Sequence, residues 1–222
     1  MRALLFTAGA VVLVLASCAN DGPPDLADPD VPGRDTDPDG VPYPTDSIGG
    51  IERSSTRPGQ RIPNFTFQAY VDGDRSKGLQ TISLADFYDP QQKRHKVLDI
   101  QISQTWCSIC SVETDATVQV HDQLRAEGAV FLQVMTSGND ASKGPSQEDV
   151  DGWVDRHRMT YTLAVDVRGR RMSSVGVSTV PWDILVDTRT MEILDSSAGA
   201  PADIMKYVRD ALQWVAKHPP SY

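Results

Sequence analysis

Hydrophobic and polar positions divide the chain into an irregular N-terminal part and a regular remainder that starts near residue 60. In the regular part, short apolar runs predict strands at residues 64–71, 96–103, 129–136, 161–165, 182–187 and 191–195. Amphipathic stretches predict helices at residues 107–127, at residues 146–158 and from Pro201 onward, with a turn and short helix at residues 81–88. Strands that alternate with helices predict an α/β domain, whose central sheet is covered by helices on both faces.

The helix at residues 107–127 is predicted from apolar side chains that recur at every fourth position. These are Val112, Ala116, Val120 and Leu124. Such a stripe is typical of the side of a helix that faces a core. Gly128 is expected to end the helix, because glycine accepts the left-handed backbone conformation that closes many helices.

The N-terminus has the pattern of an export signal. Arg2 precedes an apolar run at residues 3–16, which is too short to span a hydrocarbon core of about 30 Å but has the length of a signal-peptide core. The run ends in Leu15-Ala16-Ser17-Cys18, which resembles a bacterial lipobox. The resemblance implies that residues 1–18 are a lipoprotein signal peptide and that Cys18 is lipidated. It also implies that the protein is anchored in the bacterial cell envelope, at the outer membrane or on the periplasmic face. An ordinary secretory signal that leaves Cys18 free is the alternative.

Residues 19–59 are predicted to form a disordered, acidic, proline-rich tether, which leaves residues 60–222 as the folded domain. Eight Asp and one Arg lie between residues 19 and 50, and large apolar residues are few. Such a segment buries too little surface to offset the entropy lost on ordering. The chain carries a formal charge of −9 and has no run of Lys or Arg, which argues against a nucleic-acid partner.

Two of the three cysteines lie in Trp106-Cys107-Ser108-Ile109-Cys110, where a predicted strand ends and a helix begins. The amide groups and dipole of a helix N-terminus stabilise a thiolate. Cys107 is therefore the expected nucleophile, and Cys110, one turn later, is expected to resolve the mixed disulfide formed during exchange.

Two alternative roles for this motif remain open at the level of sequence. A structural zinc site needs about four ligands, yet the chain has no second Cys-x-x-Cys motif and its histidines lack the usual ligand spacing, so no metal site is predicted. An inert structural disulfide is the second alternative. It is weaker than a redox role, because so short a loop restrains the unfolded chain little.

Residues 60–217 resemble the TlpA-like branch of the thioredoxin superfamily, whose members include envelope thiol oxidoreductases used in cytochrome c maturation. The resemblance rests on ordered motifs: Gly59 with Ile62-Pro63-Asn64-Phe65, Ile82-Ser83-Leu84, the Trp-Cys-x-x-Cys sequence, Glu113, and Val180-Pro181 before a strand. It implies a thioredoxin-like three-layer fold with a central mixed sheet. It also implies a monomeric thiol–disulfide oxidoreductase that exchanges disulfides with envelope proteins, with no cofactor beyond the Cys107–Cys110 disulfide. We expect this enzyme to act as a reductant.

The resemblance also implies roles for neighbouring residues. A cis Pro181 would place the Val180 backbone beside Cys107, where a substrate strand pairs. Glu113 would accept or relay the proton of Cys110. Trp106 and Trp182 are expected beside the substrate. The plainer alternatives are a trans proline, a solvated Glu113 and a Trp106 that only packs in the core.

The sequence departs from the family pattern at three places. Ser108-Ile109 stands where prolines are frequent, Trp182 stands where threonine is commoner, and Gln101 stands near the position of thioredoxin's buried aspartate. The residues between the cysteines tune the potential, so the direction of electron flow is not inherited with the motif.

Three other functions fit parts of the pattern. A thiol peroxidase of peroxiredoxin type would require Thr-x-x-Cys, whereas Thr105 lies two residues before Cys107. A copper-delivery protein usually separates its cysteines by three residues and adds a distal histidine. A binding module would keep the two cysteines only as a staple. The sequence identifies neither the substrate nor the upstream electron donor.

Overall fold

A seven-stranded mixed sheet forms the centre of the computed structural model, which describes residues 26–29, 32–47 and 56–220. In chain order the strands are β1 Thr66–Tyr70, β2 Gln80–Ser83, β3 Val97–Gln104, β4 Ala129–Ser137, β5 Thr162–Val165, β6 Trp182–Asp187 and β7 Glu192–Ala198. They lie side by side in the order β2-β1-β5-β4-β3-β6-β7. Strands β5, β4 and β3 run parallel, and an antiparallel pair of strands completes the sheet on each side.

The central strands have long apolar runs because both of their faces are covered. Every residue of β3 is buried except Gln104, and every residue of β4 is buried except Val130. Parallel strands require crossover connections, and the helices that supply them pack on the sheet. The predicted three-layer α/β fold, with a mixed sheet between helices, is confirmed.

Four α-helices cover the sheet: α1 Ser108–Glu127, α2 Gln147–His157, α3 Arg170–Ser174 and α4 Ile204–Lys217. Helix α2 begins with a capping box, in which Ser146 and Asp149 each bond to the other's backbone amide. Helix α1 ends at Gly128, whose φ of 110° favours glycine. Helices α1, α2 and α4 pack on one face of the sheet, whereas Met172 of α3 and the short helix Leu84–Phe87 pack on the other.

Two local predictions are wrong. Residues 80–83 form strand β2, paired with β1, rather than a turn, and only the residues after them are helical. The apolar stripe of α1 is only partly its buried side: Leu124 is fully buried, and Ala116 and Val120 pack against the core, but Val112 does not. Val112 is 69% exposed, while the buried positions include Glu113, Thr114 and Thr117.

Part of the predicted tether lies against the domain. Tyr43 is buried, donates a hydrogen bond from its hydroxyl group to the Ile62 carbonyl at 2.7 Å and packs edge-on against Tyr88. Asp37 is also buried and accepts a hydrogen bond from the Val41 amide at 2.7 Å. Residues 32–47 are therefore not free chain. The other domain boundaries stay predictions.

The export segment and Cys18 lie outside the described residues. Within the residues described, no helix combines the length and the apolar character needed to cross a bilayer.

Candidate active site

Cys107 and Cys110 form a disulfide at the N-terminus of α1, with their Cα atoms 5.2 Å apart. Cys107 is 7% exposed, whereas Cys110 is fully buried. The sulfur of Cys107 caps the helix by accepting a hydrogen bond from the Cys110 amide at 3.1 Å. Cys107 is therefore the sulfur that a partner reaches, and it lies where the helix amides and dipole favour a thiolate.

Trp106 and Val180 line one groove beside the disulfide, with a volume of about 650 Å³. Trp106 is 53% exposed, and its indole nitrogen donates to the Ser137 hydroxyl oxygen at 3.1 Å, so it is not a core residue. Val180 packs against the core that contains both cysteines, and the Val180–Pro181 peptide bond is cis. Lys143 and Arg168 line the same groove.

The structure does not bring Trp182 into this site. Trp182 packs with the hydrophobic core on the opposite face of the sheet from the cysteines, and its indole nitrogen donates to Ser196 at 2.8 Å. Alternation along β6 is the reason. If one residue of a strand faces one side of the sheet, the next faces the other, and it is Asp183 that faces α1.

Glu113 lies one turn after Cys110 on the buried side of α1 and is only 4% exposed. Neither of its carboxyl oxygens accepts a hydrogen bond from an amide or hydroxyl group of the described residues. Burial raises the pKa of Glu113 from its ordinary 4.5 to about 7, while a hydrogen bond with Asp183 partly opposes that rise. A carboxyl group that exchanges its proton near neutral pH fits proton transfer with a thiol.

Two further buried acids adjoin Glu113. Asp99 of β3 and Asp183 of β6 are both fully buried. Burial, followed by the charge of Glu113, raises the pKa of Asp99 well above its ordinary value. Burial, followed by the charges of Asp99 and Glu113, does the same to the pKa of Asp183. Asp183 was missed at the level of sequence, although an acid two residues after Pro181 in an apolar strand was the signal available.

Amide and hydroxyl groups hold the rest of this buried layer. The Gln101 side-chain amide donates to Thr117 at 3.0 Å and to Asp99 at 3.2 Å. Gln133 donates to Thr114 at 2.8 Å, and the Thr114 hydroxyl donates to the Cys110 carbonyl at 2.8 Å. The segment after Cys110 is thereby fixed to β4 through neutral side chains.

The described residues contain no group of three His, Cys, Asp or Glu side chains arranged to hold a metal ion. The chemistry that the arrangement itself supports is two-electron exchange between a dithiol and a disulfide, with a carboxyl group beside the buried sulfur.

Comparison with known proteins places this site within a described family. The profile of the AhpC/TSA family matches residues 58–197, which include both cysteines, Glu113 and Pro181. No curated protein is similar enough in sequence to match the chain.

Solved structures show the same fold at low identity. The thioredoxin domain of a thiol-disulfide oxidoreductase from Bacteroides vulgatus is 18% identical, with a TM-score of 0.55 over 70% of this chain and 98% of that one. A thioredoxin-family thiol:disulfide interchange protein from Chlorobium tepidum is 19% identical, with a TM-score of 0.53 over 70% and 97%. Mycobacterium tuberculosis AhpC is 17% identical, with a TM-score of 0.55 over 74% and 96%. These similarities confirm the thioredoxin-like fold.

Proposed function

Since this chain belongs to the AhpC/TSA family, a family of thioredoxin-fold redox enzymes, we propose that it is a thiol–disulfide oxidoreductase of the TlpA-like type. It exchanges disulfides with protein substrates through Cys107 and Cys110 and acts as a reductant. The observation that carries the proposal is the disulfide at the start of α1. The sulfur of Cys107, which a partner can reach, accepts a hydrogen bond from a helix amide, whereas Cys110 is buried.

The proposed cycle transfers two electrons to the substrate. The Cys107 thiolate attacks one sulfur of a substrate disulfide, which breaks that bond and releases a substrate thiolate. Cys110 then gives its proton to Glu113 and attacks Cys107 as a thiolate. The mixed disulfide breaks, the second substrate thiolate leaves, and the Cys107–Cys110 disulfide remains. A dithiol donor, not identified by the sequence, returns the pair to its reduced form.

A protein substrate is favoured by the surface around Cys107. Trp106, Ile109 and Val112 are three of the four large apolar side chains that stand exposed in the described residues, and all three adjoin the disulfide in sequence. Exposed apolar side chains that cluster in this way mark interaction sites. The groove lined by Trp106 and Val180 gives an extended segment of the substrate a place to bind.

The proposal includes a place in the cell. A lipid on Cys18 would hold the protein in the bacterial envelope, at the outer membrane or the periplasmic face, where disulfide exchange with exported proteins takes place. Within the proposal, the protein acts as a monomer and uses no cofactor beyond its own disulfide. The export pattern and the lipobox-like sequence before Cys18 support this location.

Thiol peroxidase activity is the second candidate, and the family match is the observation that favours it. The position of Thr105 argues against it, because Thr105 lies two residues before Cys107 rather than three. Consumption of hydrogen peroxide by the reduced protein separates the two candidates.

The first experiment equilibrates the purified full-length chain in glutathione and dithiothreitol buffers of known potential and measures the oxidised fraction. We expect a reversible midpoint well below roughly −200 mV, as a reductant requires. C107S and C110S should abolish the transition, while C18S, the matched cysteine control, should keep it. A midpoint near roughly −120 mV would indicate an oxidant. A pair that stays oxidised in strongly reducing buffer would leave only the structural staple, and peroxide turnover without disulfide exchange would favour the peroxidase.

A further inference from the structure

Three carboxyl groups meet behind the redox disulfide, and the proposed cycle uses only one of them. We call Asp99, Glu113 and Asp183 the carboxyl cluster. Five of their six oxygens are buried and accept no hydrogen bond from an amide or hydroxyl group in the described part of the chain. The sixth, on Asp99, accepts from Gln101 at 3.2 Å. Ionised carboxylates that are buried without hydrogen-bond donors are unfavourable. Proteins usually avoid this cost by keeping at least one of the carboxyl groups protonated.

Among the described residues, the groups that act on the cluster supply no positive charge. Glu113 faces Asp99 from β3 and Asp183 from β6. Asp195 of β7 adds a further negative charge near Asp183. The ionisable groups that approach from other elements are the phenols Tyr161, before β5, and Tyr207, on α4. None of the groups that act on the three carboxyls is a cation.

The contact between Glu113 and Asp183 identifies where the proton lies. Their carboxyl groups lie within hydrogen-bonding reach of each other, and this bond lowers the pKa of Glu113 while raising that of Asp183. A hydrogen bond between two carboxyl groups exists only when one of them is protonated. Asp183 is completely buried and has Asp99 and Asp195 beside it as well as Glu113, whereas Glu113 lies one turn after Cys110 on α1, so Asp183 is the carboxyl group that keeps the proton.

We propose that Asp183 is a positioning residue, a neutral acid that donates its hydrogen bond to Glu113 and keeps Glu113 available as the base for Cys110. The inference rests on the proposed function. In the exchange step Cys110–SH and the Glu113 carboxylate become Cys110–S⁻ and Glu113–COOH, while the proton of Asp183 stays in place. Glu113 later returns its proton to the departing substrate thiolate or to solvent.

The position of Asp183 in the chain gives this role a structural basis. It lies two residues after Pro181, near the start of strand β6, and pairs across the sheet with Gln101 of β3. Trp182, its neighbour, faces the other side of the sheet. The same short segment therefore contains the Val180–Pro181 loop, which is expected to contact the substrate, and Asp183, which faces Glu113.

Two substitutions of one residue separate donation from packing. D183L removes the donor at similar volume, whereas D183N keeps a donor in its amide group. In the oxidised full-length protein, carbon-13 NMR of the Glu113 carboxyl group should show its pKa near the wild-type value in D183N and raised in D183L. This measurement requires no enzyme activity.

The same variants should differ in kinetics. For exchange between the reduced protein and insulin, the acidic limb of the pH–rate profile should move to higher pH in D183L. A rise of one unit in the pKa of Glu113 lowers the rate on that limb about tenfold. D183N should restore the wild-type profile. D195N is the matched control, because Asp195 already accepts hydrogen bonds from Tyr207 at 2.7 Å and Ser197 at 3.2 Å.

A result in which D183L and D183N behave alike, or in which Glu113 titrates unchanged or lower in D183L, overturns the inference. If D183L does not fold, infrared spectroscopy decides. The wild-type protein at pH 7 should show a protonated-acid carbonyl band that D183N lacks, and its absence would contradict a neutral Asp183. If the wild-type protein exchanges no disulfides but Glu113 still responds to D183L, the proposed function fails while the pairing of the two acids stands.

Discussion

At the scale of the residue, the sequence identifies the chemistry better than it identifies the environment. The spacing of Cys107, Cys110 and Glu113 along one helix was readable from the chain alone. The buried environment of the Glu113 carboxyl group could not be read from the chain alone. It includes Asp183, which is seventy positions away and reaches α1 only because of the order of the strands. The carboxyl pair therefore emerges from the tertiary structure and not from any local motif.

Burial of Glu113 has a consequence for stability. Its pKa is about 7 in the folded protein against an ordinary 4.5, so between these values the folded state binds more protons than the unfolded state. Stability therefore falls as the pH rises through this window, by about 3 kcal/mol for this group. E113Q removes the charge, so its stability relative to wild type should increase from pH 4.5 to 7, as measured by urea unfolding at each pH.

E148Q gives the matched control for that comparison, because it makes the same substitution at an exposed position of α2. Its stability should stay parallel to that of the wild-type protein over the same range. If E113Q also stays parallel, Glu113 does not hold a proton in the folded state. Asp99 and Asp183 are present in both E113Q and the wild-type protein, so their own titration largely cancels when the stabilities of these two proteins are compared.

At the scale of the element, α1 shows why an apolar stripe identified the helix but not its buried face. Its buried side carries Cys110, Glu113, Thr114 and Thr117, and the two threonines bond to the helix backbone and to polar side chains of the sheet. Hydrophobicity alone assigns such residues to solvent. The predicted stripe runs from the fully buried Leu124 to the exposed Val112, which joins the apolar surface beside the disulfide.

Val112 and Leu124, an exposed and a buried member of the predicted stripe of α1, predict different effects of substitution. V112E should change the free energy of unfolding by no more than about 0.5 kcal/mol, since Val112 is an exposed side chain. It should nevertheless slow the reduction of insulin, because it places a charge on the apolar surface, while a small-molecule disulfide should react as before. L124A empties a fully buried position and should cost roughly 2–5 kcal/mol. Urea unfolding and the two exchange assays measure these effects, and equal destabilisation by both variants would contradict the assignment of faces.

At the scale of the whole molecule, the alternation of strands and helices was enough to predict the three-layer fold. Only a few arrangements of such elements bury the apolar face of each one. Composition was a poorer guide to the N-terminal part. Its average is acidic and rich in proline, yet single apolar residues such as Tyr43 have partners on the folded domain. The average composition of about forty residues does not predict that a single aromatic side chain among them is buried against the domain.

Tyr43 tests whether the segment belongs to the fold. Y43A removes a buried ring that contacts Tyr88 and a hydroxyl that donates to Ile62, so it should lower the free energy of unfolding by about 3 kcal/mol. Y43F removes the hydroxyl alone and should cost about 1 kcal/mol, and T45A, at an exposed position nearby, should cost almost nothing. Urea unfolding of the full-length chain ranks the three variants. Three equal, negligible values would mean that residues 32–47 belong to the predicted tether. The expected order would mean that residues 32–47 belong to the folded domain, so that the lipid anchor proposed at Cys18 would be joined to it by fewer residues than the predicted tether contains.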